Sequence, residues 1–182
     1  MSATRIQRWR VPLGFVFAGL FVLLARPRPV TLVIGAAVSL VGLAIRAWAA
    51  GHIRKNVELA TTGPYALTRN PLYLGSFFLG LGFTIAAGRW VLAALFAALF
   101  LGIYLPVMRV EANNLAESFG DRYQHYANEV PLFFPKLKRY RDSQAARGRF
   151  DTKLYLKYRE YRASFGFVIA WSVLVIKAYY FK

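Results

Sequence analysis

Long apolar runs alternate with short basic or glycine- and proline-punctuated segments along the whole chain. Five runs are candidate membrane spans: Val11–Ala25, Val30–Ala50, Pro71–Ala87, Trp90–Met108 and Ala163–Phe181. A span needs about 20 apolar residues, a length that fits the second, fourth and fifth runs. Val11–Ala25 is short but bracketed by Arg10 and Arg26, whose snorkelling side chains extend its reach. Pro71–Ala87 is also short. Like Trp90–Met108 it carries no charge, and Gly88-Arg89 joins the two as an antiparallel hairpin. Lipid cannot satisfy open backbone groups, so these runs are predicted helices. The expected fold is all-α, a polytopic transmembrane bundle of about five spans forming a single integral membrane domain over residues 1–182.

Charge gives this pattern a direction. The chain carries 24 Lys/Arg against 8 Asp/Glu, and 57% of its residues are hydrophobic. A nucleic-acid module would carry its basic residues on a soluble fold; here they lie between apolar runs, so the expected partner is membrane lipid and not nucleic acid. With the N-terminus inside, 19 of the 24 cations fall on the cytoplasmic side, as positive-inside orientation requires. The expected location is the plasma or bacterial inner membrane. Arg26-Pro27-Arg28-Pro29 follows the first run without a small-residue cleavage pattern, which reads as a retained span and not a signal peptide. There is no cysteine, and His52 and His125 are far apart, so no metal site is expected.

That topology brings two polar stretches to one face of the bilayer. In Gly63–Gly75, Gly63-Pro64 is a turn signal, Asn70 is a natural N-cap, and Pro71 suits the first turn of the third run. A helix entrance of this kind offers free N–H groups to a carboxylate, and Tyr73 lies within one turn of it. In Glu111–Tyr126, Glu111, Leu115, Phe119 and Tyr123 recur four apart, with Tyr126 three further on, giving one helical stripe that bends or ends near Gly120. Leu115, Phe119 and the tyrosines read first as packing. Glu111, beside Arg109 at the edge of an uncharged span, reads as functional. Val130–Pro135 then ends the helix. The basic collar from Lys136 to Arg162 brackets a hydrophilic linker, Asp142–Thr152. It reads as a flank attracted to anionic lipid, at about 1 kcal/mol per charge, with substrate recruitment a secondary use. Gly35, Ser39, Gly42, Gly75, Gly80 and Gly82 read as close helix packing.

As an ordered set, Arg69-Asn70-Pro71-Leu72-Tyr73, the uncharged hairpin, Glu111, Phe119-Gly120, Tyr123, Tyr126 and Pro131 through Pro135 resemble the isoprenylcysteine carboxyl methyltransferase family. The match covers about Gly63 to Pro135. Asn70 stands where that family usually has His, and Ala112 where it has a second Glu. The resemblance implies an integral membrane methyltransferase using S-adenosylmethionine, with a cytosol-facing cofactor pocket and a lipophilic acceptor entering between helices. The implied acceptor is a carboxylate such as that of a prenylated cysteine. Carried over residue by residue, Tyr65, Asn70, Pro71, Tyr73, Leu74, Gly75, Glu111 and Tyr123 would bind the cofactor. Arg69, Arg109 and Glu111 would act in catalysis or steer the acceptor. Three alternatives stay open: methylation of a phospholipid amine or small thiol, a NADPH-dependent reductase of the sterol type, and a non-catalytic membrane scaffold, which the missing second Glu keeps in view.

Overall fold

The computed structural model describes residues 16, 18–54, 57–142 and 148–180. The start of the expected first span, Phe181 and residues 143–147 of the expected linker lie outside the described residues. Among those described there are helices and no strands. Residues 18–24 are helical. The named helices are α1 (Pro29–Ala50), α2 (Pro71–Ala87), α3 (Trp90–Leu99), α4 (Leu105–Glu129), α5 (Thr152–Lys157) and α6 (Tyr161–Tyr180), with a 3₁₀ turn at Gly63–Ala66. Three are long and apolar enough to cross a membrane: α1, the continuous helix Trp90–Glu129, and α6. The apolar α2 is 17 residues long.

The expected fourth span and the glutamate-led helix are one 40-residue helix. A π-helical segment, Phe100–Tyr104, joins α3 to α4. It lies just before Pro106, which has no N–H to offer the carbonyl four residues earlier. A widened turn at that place is how a helix absorbs the loss without breaking. At Gly120, φ is 50° and ψ −131°, a backbone conformation that a side chain would oppose. The helix therefore bends there, as the sequence indicates.

The chain divides into two compact units. Among the described residues, the first comprises 16, 18–41, 77–107 and 164–180. Its core joins Phe21, Ala25, Ala86, Ala87, Leu92 and Leu174, with Phe83 and Trp171 packed against them. Small residues set the spacing. The Ser39 hydroxyl donates to the Leu79 carbonyl at 3.1 Å. A Cβ added to Gly82 would clash with the Gly35 carbonyl oxygen and with Ser39 Oγ. Such close backbone approach is the main source of helix association in lipid. The outward faces stay apolar: Val33, Phe165 and Ile169 are exposed, as lipid-facing side chains should be.

The second unit comprises residues 42–76 and 108–163. Arg46, near the end of α1, makes a bidentate ion pair with Glu160 at 2.8–3.1 Å and donates to Ser76. A cation in an apolar helix is tolerated when it is paired in this way. Leu59, Tyr123, Tyr126 and Val130 form this unit's buried cluster, with Leu115 and Phe119 packed around it.

Gly82→Val is expected to lower the thermal midpoint of the detergent-purified protein, since overpacking of this kind costs about 1–3 kcal/mol. Gly166→Ala, where an added Cβ meets nothing within 4 Å in the interior of α6, should leave the midpoint unchanged or raised, since Ala is the better helix former.

Candidate functional site

The second unit holds a cavity of about 540 Å³, within the roughly 300–1,000 Å³ of small-molecule sites. One wall is the helical stripe: Glu111, Leu115, Phe119, Tyr123 and Tyr126, with Ala112, Asn114 and Ser118 beside it. The other is the turn before α2, with Tyr65, Arg69 and Asn70, and the segment Ile53 with Glu58–Ala60. The stripe residues thus do both jobs. Ala112, Leu115, Phe119, Tyr123 and Tyr126 belong to a buried cluster and also line the void.

Backbone bonding holds the turn in place. Arg69 N–H donates to the Pro131 carbonyl at 3.0 Å, Lys136 N–H to Leu67, and Tyr140 N–H to Ala66. The Thr68 hydroxyl donates to the Phe133 carbonyl at 2.7 Å. Asn70 acts as the N-cap through its backbone, its carbonyl accepting the Leu74 N–H at 3.0 Å. Its side chain does something else: Nδ2 donates to the Leu132 carbonyl at 2.9 Å. Asparagine at this position is therefore a bridge between the two conspicuous sequence stretches.

Two polar groups in the cavity wall are buried without a hydrogen-bond partner among the described residues: the Tyr65 hydroxyl and Arg69 Nε. Burial first, and then the charge of Glu111, push the Tyr65 phenol well above its ordinary value. It therefore stays protonated, a donor and not a base. Arg69 is oriented by Tyr123, whose hydroxyl accepts from Nη1 at 3.0 Å and whose ring lies 5.8 Å from the guanidinium carbon. The Tyr126 hydroxyl donates to the Tyr65 carbonyl at 2.7 Å, which fixes the backbone beneath the free phenol. Unpaired buried polar groups are costly, and both belong to residues that line the cavity. The wall's charged side chains are Glu58, Glu111 and Arg69, one negative charge in excess.

Of the residues singled out in the sequence, Tyr65, Arg69, Asn70, Glu111 and Tyr123 come together here. Pro71 and Leu74 are buried, and Gly75 packs against Arg46 and the Gly42 carbonyl; these three, half-buried Tyr73 and exposed Arg109 are not among the lining residues. Glu58, Asn114, Ser118 and Tyr126 line the cavity without having been picked out as site residues. Glu58 had one usable signal: it is among only 8 acidic side chains.

The family described as phospholipid methyltransferase matches residues 30–122. The chain belongs to that family. It is 37% identical over 151 residues to the cobalt-zinc-cadmium resistance protein CzcN of Cupriavidus metallidurans, covering 78% of this chain and 68% of that one. It is 39% identical over 98 residues to the nickel-cobalt-cadmium resistance protein NccN of Alcaligenes xylosoxydans xylosoxydans, covering 53% of this chain and 46% of that one. It is 32% identical over 83 residues to a protein-S-isoprenylcysteine O-methyltransferase of Schizosaccharomyces pombe, covering 46% of this chain and 35% of that one. The chain thus spans less than half the length of the latter two relatives. No solved structure matches it. The resemblance read from the motifs is borne out at the level of the family: this is an integral membrane protein of a methyltransferase family. Among the described residues there is no group of three or more His, Cys, Asp or Glu placed to hold a metal ion.

The tyrosines give a pH prediction. Burial raises Tyr126 as well as Tyr65 above the ordinary value of 10.0. Both stay protonated in the fold, while the unfolded chain releases those protons near pH 10. Their contribution is full below pH 10 and is lost as pH rises beyond it, by up to about 1.4 kcal/mol per pH unit for each phenol. Tyr65→Phe should leave stability at pH 7 unchanged or raised, since it removes an unpaired buried hydroxyl. It should also shallow the alkaline loss. Chemical denaturation at pH 7 and between pH 10 and 11 checks both; an unaltered alkaline slope would refute the assignment.

Proposed function

We propose that this protein is an S-adenosylmethionine-dependent membrane methyltransferase, and that its acceptor is a lipophilic carboxylate. The cavity with its unpaired Tyr65 hydroxyl and excess negative charge carries this reading. When bound, S-adenosylmethionine supplies a methyl group on a sulfonium, and with its ammonium and carboxylate it bears one net positive charge, complementary to the wall. Glu111 and Glu58 would receive the cationic and hydroxyl groups of the donor. Asn70, Arg69 and the Tyr65 hydroxyl would hold its carboxylate end or the oxygen of the acceptor.

The chain's part in the chemistry is alignment and exclusion of water. Leu59, Leu115 and Phe119 supply the apolar part of the wall. A carboxylate acceptor is already ionised at neutral pH, so a site whose buried tyrosine stays protonated suits it without further proton transfer. The charge count supports a cytoplasmic position for this cavity. Two relatives are metal-resistance proteins, which favours a second reading at the cellular level: methylation of a membrane constituent as part of a response to metals.

Radiolabelled S-adenosylmethionine should bind the detergent-purified full chain. Glu111→Gln should weaken that binding about tenfold or more, the scale of a hydrogen bond to a charged group; unchanged binding would remove Glu111 from the site. Methyl label transferred to membrane extracts should be released by mild alkali, as from an ester. Alkali-stable label would assign an amine or thiol acceptor instead.

A further inference from the structure

A second cavity, of about 600 Å³, lies in the same unit, and Glu58, Leu59 and Ala60 border both. Its charge is opposite in sign. Arg54, Arg122, Arg149 and Lys153 line it against Glu58 and Asp151. Both carboxylates are already engaged: Glu58 lies 3.4 Å from Arg54, and Asp151 accepts the Lys153 backbone N–H at 2.8 Å.

Arg122 is the built element of this hollow. Its Nη2 donates to Asp142 at 3.0 Å, and the Asp142 carboxylate, only 8% exposed, also accepts from the Thr61 hydroxyl at 3.0 Å. The guanidinium is therefore oriented by a fixed anion. Among the described residues its Nε is buried and has no hydrogen-bond partner. An arginine held on one edge by a buried carboxylate, with its side chain still 37% exposed, is arranged to receive an oxygen anion. Close packing gives the hollow a defined shape: the Phe150 ring lies on Gly51, and Gly148 lies on Thr62. Asp151 N–H donates to the Gly51 carbonyl at 2.9 Å.

The chain puts this hollow beside the bilayer. Gly51–Arg54 follows α1 without interruption, and Phe150–Leu154 lies a few residues before α6. Both helices are long and apolar enough to span. Cations flanking two spans meet lipid phosphates at the surface.

We infer that this second cavity is a phosphate-binding site, distinct from the methyl-donor cavity, which seats the headgroup phosphate of an anionic membrane lipid. It differs from a diffuse basic collar in that its guanidinium is oriented and its walls are packed. Native mass spectrometry of the full chain in detergent, titrated with phosphatidic acid, should show one retained lipid. The double variant Arg149→Gln/Lys153→Gln should weaken retention about tenfold or more, the scale for two cations near a lipid surface. Lys138→Gln/Arg139→Gln removes two exposed cations that do not line the cavity and should leave retention unchanged. Inorganic phosphate should compete only at high concentration. If it binds with the same variant sensitivity while the lipid is not retained, the site stands and its source is soluble phosphate. Equal loss in the two double variants, or binding of neither ligand, overturns the inference. Donor binding in the Arg149→Gln/Lys153→Gln protein serves as the fold control and should persist.

Discussion

The site depends on how an irregular, proline-bearing segment satisfies its backbone. Residues 131–140 form no helix or strand, and Pro131 and Pro135 have no N–H to donate. Their neighbours' carbonyls need donors from elsewhere when they are buried. The turn before α2 supplies them: Arg69 N–H to Pro131, Asn70 Nδ2 to Leu132 and the Thr68 hydroxyl to Phe133, with Lys136 and Tyr140 N–H groups returning to Leu67 and Ala66. Five bonds thus zip two segments more than 60 residues apart. Each is worth about 0.5–1.5 kcal/mol net, but losing one partner would strand the other in a buried place. The same zipper fixes the backbone from Ala66 to Asn70, and the Tyr126 hydroxyl fixes the Tyr65 carbonyl, so this part of the cavity wall is set before any ligand arrives.

Much of this was legible in the sequence, because the signals were local. Uncharged runs of membrane length announce helices, Asn-Pro announces a helix start, and a four-residue recurrence from Glu111 to Tyr123 announces one face. The joining of the fourth span to the glutamate-led helix was not legible, because Arg109 and Glu111 mark where the apolar run ends and say nothing of whether the helix goes on. Periodicity also cannot say whether a stripe meets a neighbour or a void. Leu115 and Phe119 read as packing and turn out to face both. Glu58 lies in a short non-periodic segment, where nothing in the spacing distinguishes a wall residue from a solvated loop carboxylate. The side-chain role of Asn70 was equally hidden: an N-cap is predicted from local sequence, whereas its bond to Leu132 depends on a residue 62 positions away.

Electrostatics separate the two cavities although they share Glu58, Leu59 and Ala60. Around the first, the lining residues carry one excess negative charge and the unpaired donors are a phenol and one guanidinium nitrogen. Around the second, cations exceed carboxylates by two. Glu58 belongs to both walls, and its ion pair with Arg54 is half exposed, so that pair contributes little to stability by itself. Its effect is to place a carboxylate at the boundary, where it favours a cation on one side and screens an anion on the other. Charges of opposite sign in adjoining hollows would sort the proposed cationic donor from the proposed anionic headgroup.

The Arg46–Glu160 pair bears on a question that charge counting leaves to statistics. Arg46 is near the C-terminal end of α1, Ser76 is in the second turn of α2, and Glu160 immediately precedes α6. All three side chains meet, with the Arg46 and Glu160 side chains 23% and 14% exposed. Two charges so shielded are stable only together, since removing either would leave the other buried and uncompensated. The end of α1 and the starts of α2 and α6 are therefore held in one place, which accords with the common side that the charge count predicts. Positive-inside reasoning puts the Arg46–Asn70 and Arg109–Arg162 regions on a common side by adding up weak preferences. The ion pair brings the same span ends together by a single contact.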